Sequence, residues 1–262
     1  MKKIIGTLLI IVVTMIGSQV FADTIVTPWY NDNHTTWTGW VSSNTDASGD
    51  TYGTPNFLSA QATITDGYLT RLTFQIQNGP EAVDLYKLLK PGDLFINTGR
   101  GGATDTTWDY VVNLMNSSGQ SVSDNKLYSV NQSYLPGTNG YLLSYAPVDP
   151  KKGWSYSYRN DQPIGYDGGT AVPNTTVNFS GWNYNLAPGA IFQPYFEFGA
   201  HDILLGSQFT IGWTVSCAND IYFETMTNPV PEPASMLLMG SGLIGLAGWG
   251  RKKFMKKEAV VA

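Results

Sequence analysis

Few side chains in these 262 residues are of the types that carry out covalent chemistry. There are two histidines, His34 and His201, and one cysteine, Cys217. Histidines this far apart in sequence are not the i, i+4 pair of a metalloprotease helix, and neither a G-x-S-x-G elbow nor a phosphate-binding loop occurs. Cys217 with His34 or His201 as base would make a thiol nucleophile. A nucleophile needs its base beside it, and no histidine lies near Cys217 in sequence. Just beyond an apolar strand pattern, Cys217 reads instead as a small buried hydrophobe, or as an odd cysteine able to pair between molecules.

The carboxylates offer more. Between residues 23 and 229 the only glutamates are Glu81, Glu197 and Glu224. Glu197 and Glu224 each follow two aromatics, Tyr195-Phe196 and Tyr222-Phe223. Two carboxylates facing one cleft would be the acid and the base or nucleophile of a glycoside hydrolase. Period-2 alternation argues the other way, turning both toward solvent between inward aromatics. A non-catalytic body is therefore the expectation, with a jelly-roll glycoside hydrolase using Glu197 and Glu224 as the alternative.

Asp93, Asn97, Asp105 and Asp109 bracket a glycine-rich loop from Thr98 to Thr104. Calcium takes several oxygen ligands from loops of this kind. The D-x-D-x-D-G spacing is absent, however, and Arg100 adds a positive charge. Ordinary turn chemistry by Asp, Asn and Gly competes with the metal reading. No cofactor is expected, with calcium at these four residues as the alternative. Trp29, Tyr30, Trp37, Trp40, Trp154, Tyr156, Tyr158, Trp182 and Tyr184 lie in polar, Asn-rich sequence and could stack on extracellular polysaccharide. The competing reading makes most of them core, since aromatics dominate burial.

These groups must be positioned by strands. Leu72, Phe74 and Ile76 alternate with polar neighbours, as do Phe209, Ile211, Trp213 and Val215. Further strands are expected at 58–65, 94–97, 108–114, 141–145, 154–158, 175–179, 195–198 and 221–224. Asp66-Gly67 reads as a tight hairpin turn. Ser118-Gly119, Asn139-Gly140 and Asp167-Gly168 mark other turns. Only 81–89 looks helical, ended by Pro91-Gly92. The pattern predicts an all-β fold, a single antiparallel β-sandwich or jelly-roll-like domain over residues 23–229. Composition agrees: 13% aromatic residues and 8 tryptophans exclude disorder, and one cysteine excludes a disulfide scaffold. Residues 23–230 hold eight Lys/Arg against eighteen Asp/Glu. An acidic body does not bind nucleic acid, which demands a basic face.

Both ends are basic and apolar. Lys2 and Lys3 precede an uncharged run to Val20, and small residues lead to a cut between Ala22 and Asp23. Residues 1–22 read as a secretory signal peptide. At the other end, Val230-Pro231-Glu232-Pro233 leads into 17 uncharged residues, Ala234 to Gly250, and then Arg251-Lys252-Lys253. As a helix that span would measure roughly 25 Å, slightly short of a hydrocarbon core of about 30 Å. The basic cluster would stop transfer and stay cytoplasmic, leaving 255–262 as a cytoplasmic tail. Gly240 to Gly245 fits G-x-G-x-x-G, but no βαβ unit surrounds it. Its glycines suit close helix contact in a membrane instead.

A Pro-Glu-Pro motif, a short apolar span and a basic cluster, in that order, resemble the PEP-CTERM sorting signal, here over residues 230–254. One difference is the tail, which runs on past the cluster to Ala262. The resemblance implies export and recognition by an exosortase, with membrane insertion through 234–250 before processing. It also implies a destination in the cell envelope, at the cell surface or in the extracellular matrix, together with an association with exopolysaccharide and biofilm. The stretch Trp213 to Asp220 is similar to one near the end of some PEP-CTERM surface domains. Prolines at 231 and 233 hold the motif extended, as a processing enzyme requires.

Overall fold

A computed structural model describes residues 23–33, 37, 55–78, 90–102, 105–115, 121–134, 140–143, 162–183, 186–216, 218, 220–229 and 242. Among them the chain is all-β and antiparallel. One sheet of seven strands runs in the order β1 (Thr24–Val26), β3 (Asn56–Thr65), β4 (Tyr68–Gln77), β13 (Tyr195–Glu197), β11 (Asn178–Ser180). Two short strands complete it: β2 (Tyr30–Asn31) pairs β3, and β12 (Ile191–Phe192) pairs β4. The second sheet, of six strands, runs β10 (Thr170–Ala171), β7 (Ser121–Ser133), β6 (Thr107–Met115), β5 (Leu94–Asn97), β14 (Gln208–Thr214), β15 (Ile221–Thr227). A two-stranded ribbon joins β8 (Tyr141–Leu143) to β9 (Pro163–Tyr166).

The sheets are hairpins and a meander: β3–β4, β5–β6–β7 and β14–β15 each pair with their chain neighbours. A jelly roll would alternate successive strands between its sheets. The β3–β4 turn is Asp66-Gly67, both at positive φ (53° and 82°), the backbone that an Asp-Gly hairpin turn adopts. Strands β5, β13 and β15 start at the residues that the apolar pattern marks. β11 is shorter than expected, because Asn174 sits in a turn at φ 60° and delays the strand to Asn178. The sequence pattern overlooked β7, whose residues are mostly polar. The expected helix at 81–89 and strand at 154–158 lie outside the described residues.

The two sheets bury one face each against the other. Phe57, Phe74 and Phe196 from the seven-stranded sheet meet Trp213 and Tyr222 from the six-stranded one in a single core. Trp213 is central, with ring centroids 4.4 Å from Phe74, 5.2 Å from Phe196 and 5.3 Å from Phe57. Its Nε1 donates to the Gly92 carbonyl at 2.9 Å, so its one polar atom is satisfied inside.

The centre of the six-stranded sheet, at β5 and β14, is buried on both faces. Leu94 and Ile96 point into the main core while Phe95 points into a second cluster with Trp37, Trp108, Tyr134 and Phe223. Hence the uninterrupted apolar run Leu94-Phe95-Ile96 and the buried triplet Ile221-Tyr222-Phe223, where a half-wet strand would alternate. Trp37 caps this second face, donating from Nε1 to the Pro163 carbonyl at 2.7 Å. It lies over Gly212, where any Cβ would overlap the indole ring. The seven-stranded sheet keeps the simple alternation, with the outer side chains of β3 and β4 half-buried.

Trp213→Ala removes the ring that joins both sheets. It should cost about 3–5 kcal/mol of stability, read as a shift in the denaturant midpoint of the full chain. A loss below about 1 kcal/mol would show that the sheets do not depend on that contact.

Candidate functional site

The glycine-rich loop between β5 and β6 is built by its own polar residues. Asn97, at the end of β5, is buried. Its Oδ1 accepts from the Gly99 amide at 2.6 Å, and its Nδ2 donates to the Thr107 carbonyl at 2.7 Å. Asp105 Oδ1 accepts from the Thr107 amide at 3.0 Å and from the Thr107 hydroxyl. Asp109 Oδ2 accepts from the Thr98 amide at 2.7 Å and from the Thr98 hydroxyl. Three of the four residues singled out for calcium thus shape this one loop as side chain-to-backbone turns. Gly99 closes it at φ +70°, so close to Gln208 that a Cβ would overlap the Gln208 carbonyl. Gly206 donates to the Thr98 carbonyl at 2.7 Å and locks the loop to the start of β14.

Asp93 sits at the other end of β5 and does not join them. Its side chain is fully buried. Oδ1 accepts from the amides of Leu114 (2.7 Å) and Met115 (2.8 Å), and Oδ2 from Tyr166 (2.9 Å). The carboxylate ties β5, β6 and β9 together. Burial pushes its pKa from 3.8 up to about 7, against the pull of those three amides and with a further push from the charge of Asp167. Among the described residues no three His, Cys, Asp or Glu side chains are grouped to hold a metal ion.

The loop forms one wall of a pocket of about 280 Å³ against β14 and β15. Tyr134 and Phe223 line it, each almost buried, in edge-to-face contact with centroids 5.5 Å apart. Burial raises the pKa of the Tyr134 hydroxyl well above the ordinary phenol value. Thr210 and Thr225, adjacent across β14 and β15, share a hydroxyl–hydroxyl bond of 2.8 Å. Asp105, Thr106, Ser207 and Gln208 complete the polar lining. Of these residues only Asn97 and Asp105 stand out in the sequence as candidate ligands. The others come from several segments, gathered by the pairing of β5 with β6 and β14, of β6 with β7 and of β14 with β15.

The two glutamates stand apart. Glu197 is on the seven-stranded sheet, ion-paired with Arg71 at 3.3 Å and accepting from Asn178 Nδ2 at 3.0 Å. Arg71 also lies over the Tyr195 ring at 3.9 Å. Glu224 is on the edge strand β15 of the other sheet and accepts from the Asn33 amide at 3.0 Å. Each has local partners, and they belong to different sheets.

Of the aromatics considered for sugar stacking, Trp37 is buried and Trp182 packs against the main core. The Tyr30 hydroxyl accepts from the Thr227 amide at 2.9 Å, which leaves Trp29 as an exposed ring. Trp40, Trp154, Tyr156, Tyr158 and Tyr184 lie outside the described residues, as do His34 and Cys217. His201 is exposed and packs edge-on against Tyr68.

The folded body ends cleanly. Asn228 is buried. Its amide donates to the Ser207 carbonyl and its side chain to Gly206, both at 2.9 Å, while Pro229 is exposed. Residues from Pro229 onward form a separate unit. Residues 229–252 match the family model of the PEP-CTERM protein-sorting motif. The motif implies exosortase-dependent sorting of an exported, envelope-associated protein. No curated protein and no solved structure matches the chain significantly. The signal segment 1–22, the cut between Ala22 and Asp23, the motif residues 230–233 and the basic cluster 251–253 lie outside the described residues, as does the apolar span apart from Gly242. Among the described residues no helix is long and apolar enough to cross a membrane.

Asp93 makes stability depend on pH. Between its unfolded value of 3.8 and its folded value of about 7, the folded chain holds a proton that the unfolded chain has released. Its contribution is therefore full below the lower value and lost as pH rises through the upper one. Denaturant midpoints measured from about pH 4 to about pH 7 should fall less in Asp93→Asn than in the parent. Parallel profiles would show that Asp93 is not the source.

Proposed function

We propose that this chain is an exported, non-catalytic protein of the cell surface or extracellular matrix. An exosortase recognises its C-terminal signal and cuts near Val230-Pro231-Glu232-Pro233. Secretion begins with loss of residues 1–22. The apolar span 234–250 then holds the chain in the membrane, with Arg251-Lys252-Lys253 on the cytoplasmic side, until the enzyme acts. The β-sandwich body is what reaches the surface, where it works as a structural or interaction module alongside extracellular polysaccharide.

One observation supports this most: the sorting motif starts directly after the clamp that closes the body at Asn228. A protease acting past Pro229 would cut outside the last described strand, so the body could be released without losing core residues. The non-catalytic reading draws on the separation of Glu197 and Glu224 onto different sheets and on the local partners each already has. An interaction module needs neither group to be poised for proton transfer.

Replacing both prolines of the motif, Pro231→Ala with Pro233→Ala, should block processing in the native host. Immunoblots of fractionated cells should then show the uncut form gathering in the membrane at the expense of the surface form. Unchanged distribution and size would overturn the sorting role. Glu197→Gln with Glu224→Gln should leave any effect of the protein on polysaccharide as it was; loss of a hydrolytic activity would restore the enzyme alternative.

A further inference from the structure

We infer that the pocket beside the glycine-rich loop is a binding site for one neutral sugar residue of an extracellular glycan. The chemistry of its walls carries the inference. Thr225, Ser207 and Thr106 offer hydroxyls and Gln208 an amide, and all four are exposed at the pocket. Such groups both donate and accept hydrogen bonds, as every sugar hydroxyl does. Tyr134 and Phe223, each almost buried, give the pocket an apolar floor that the C–H groups of a pyranose can touch.

Charge narrows the ligand class. No Lys or Arg is among the described residues lining the pocket, and Arg100 of the same loop is exposed and not part of the lining, so the walls themselves offer an anionic sugar or phosphate no counter-charge. The one carboxylate, Asp105, already accepts two bonds from Thr107 through Oδ1, which makes it a poor anchor for a cation. A neutral polyol is the class that the lining satisfies. A volume of about 280 Å³ lies at the small end of ligand sites, room for one ring rather than a chain.

The site is also preformed. Asn97 and Asp109 hold the loop through the bonds described above, and the Gly99 and Gly206 contacts fix it to β14. Little ordering entropy is then lost on binding. The extracellular source of the glycan rests on the export proposed above, while binding of a neutral sugar by the folded body holds whether or not the tail is removed. Its failure would leave the sorting proposal intact, and the converse is equally true.

The test uses the full chain in a phosphocholine detergent, whose headgroup carries no sugar. Saturation-transfer NMR would be run with the methyl glycosides of glucose, galactose, mannose and N-acetylglucosamine, and with glucuronate as the anionic control. At least one neutral glycoside should bind with a dissociation constant on the order of 1 mM, and glucuronate should not. Gln208→Ala and Thr225→Val, both at exposed positions, should each weaken binding about three- to tenfold. Thr63→Val, on the other sheet, should leave it unchanged. Thermal melts of the variants would establish that they fold. Absence of signal from every neutral glycoside, preference for glucuronate, or equal binding by the folded Gln208→Ala and Thr225→Val variants would overturn the inference.

Discussion

Everything in this body depends on the contact of two sheets through one indole. Trp213 stands on the six-stranded sheet and touches Phe57, Phe74 and Phe196 on the other. The contact is apolar except at Nε1, and that atom is answered by the Gly92 carbonyl. A group so placed fixes the spacing of the sheets and where β14 lies in its own sheet. On the same strand Thr210, paired with Asn97 of β5 and Thr225 of β15, lines the pocket.

Burial of the central strands of the six-stranded sheet on both faces explains the polar groups found deep inside. Strands covered twice leave irregular backbone at their ends with no water to satisfy it, and unmet amides there would cost more than a hydrogen bond returns. Asp93 answers three of them, at Leu114, Met115 and Tyr166. Asp220 answers the amide of Phe57 on the other sheet and that of Ile221, the first residue of β15. Thr214 returns a bond to the Asp220 carbonyl at 2.6 Å. These carboxylates are architectural. In the sequence Asp93 follows a Pro-Gly turn, where it can be mistaken for a ligand of a cation.

How much was legible varied with the physics at each point. The Asp66-Gly67 turn was readable because its backbone demands those residues, and β5 because an apolar run between turn residues has few other uses. β7 was not, since Asp124, Asn125, Lys126 and Asn131 break any alternation. Its place comes from pairing with β6, which a sequence does not display. The loop at 98–104 was visible as a special element, but Asn97, Asp105 and Asp109 proved to be its scaffold. Tyr134, Gln208 and Thr225 carried no local signal; they became neighbours only through strand pairing over long sequence separations. Trp37 and Trp182, left open between sugar stacking and core by their polar surroundings, pack against the core, Trp37 buried and Trp182 half-buried, because a large ring in a polar segment can still cap a sheet. The sorting motif was legible in full, since its order of motif, span and charge is linear and needs no fold to be seen.

The body and the sorting signal thus divide the work at Asn228. Upstream, two sheets and their buried carboxylates hold a rigid module with a polar pocket. Downstream, a linear address directs the module to the envelope. The most direct test is the intact mass of the protein recovered from its native host, in membrane and extracellular fractions. The account predicts a surface form running from Asp23 to about Pro231, alone or with added sugar mass. A single form that retains residues 234–262 in every fraction would contradict it and make the tail a permanent anchor.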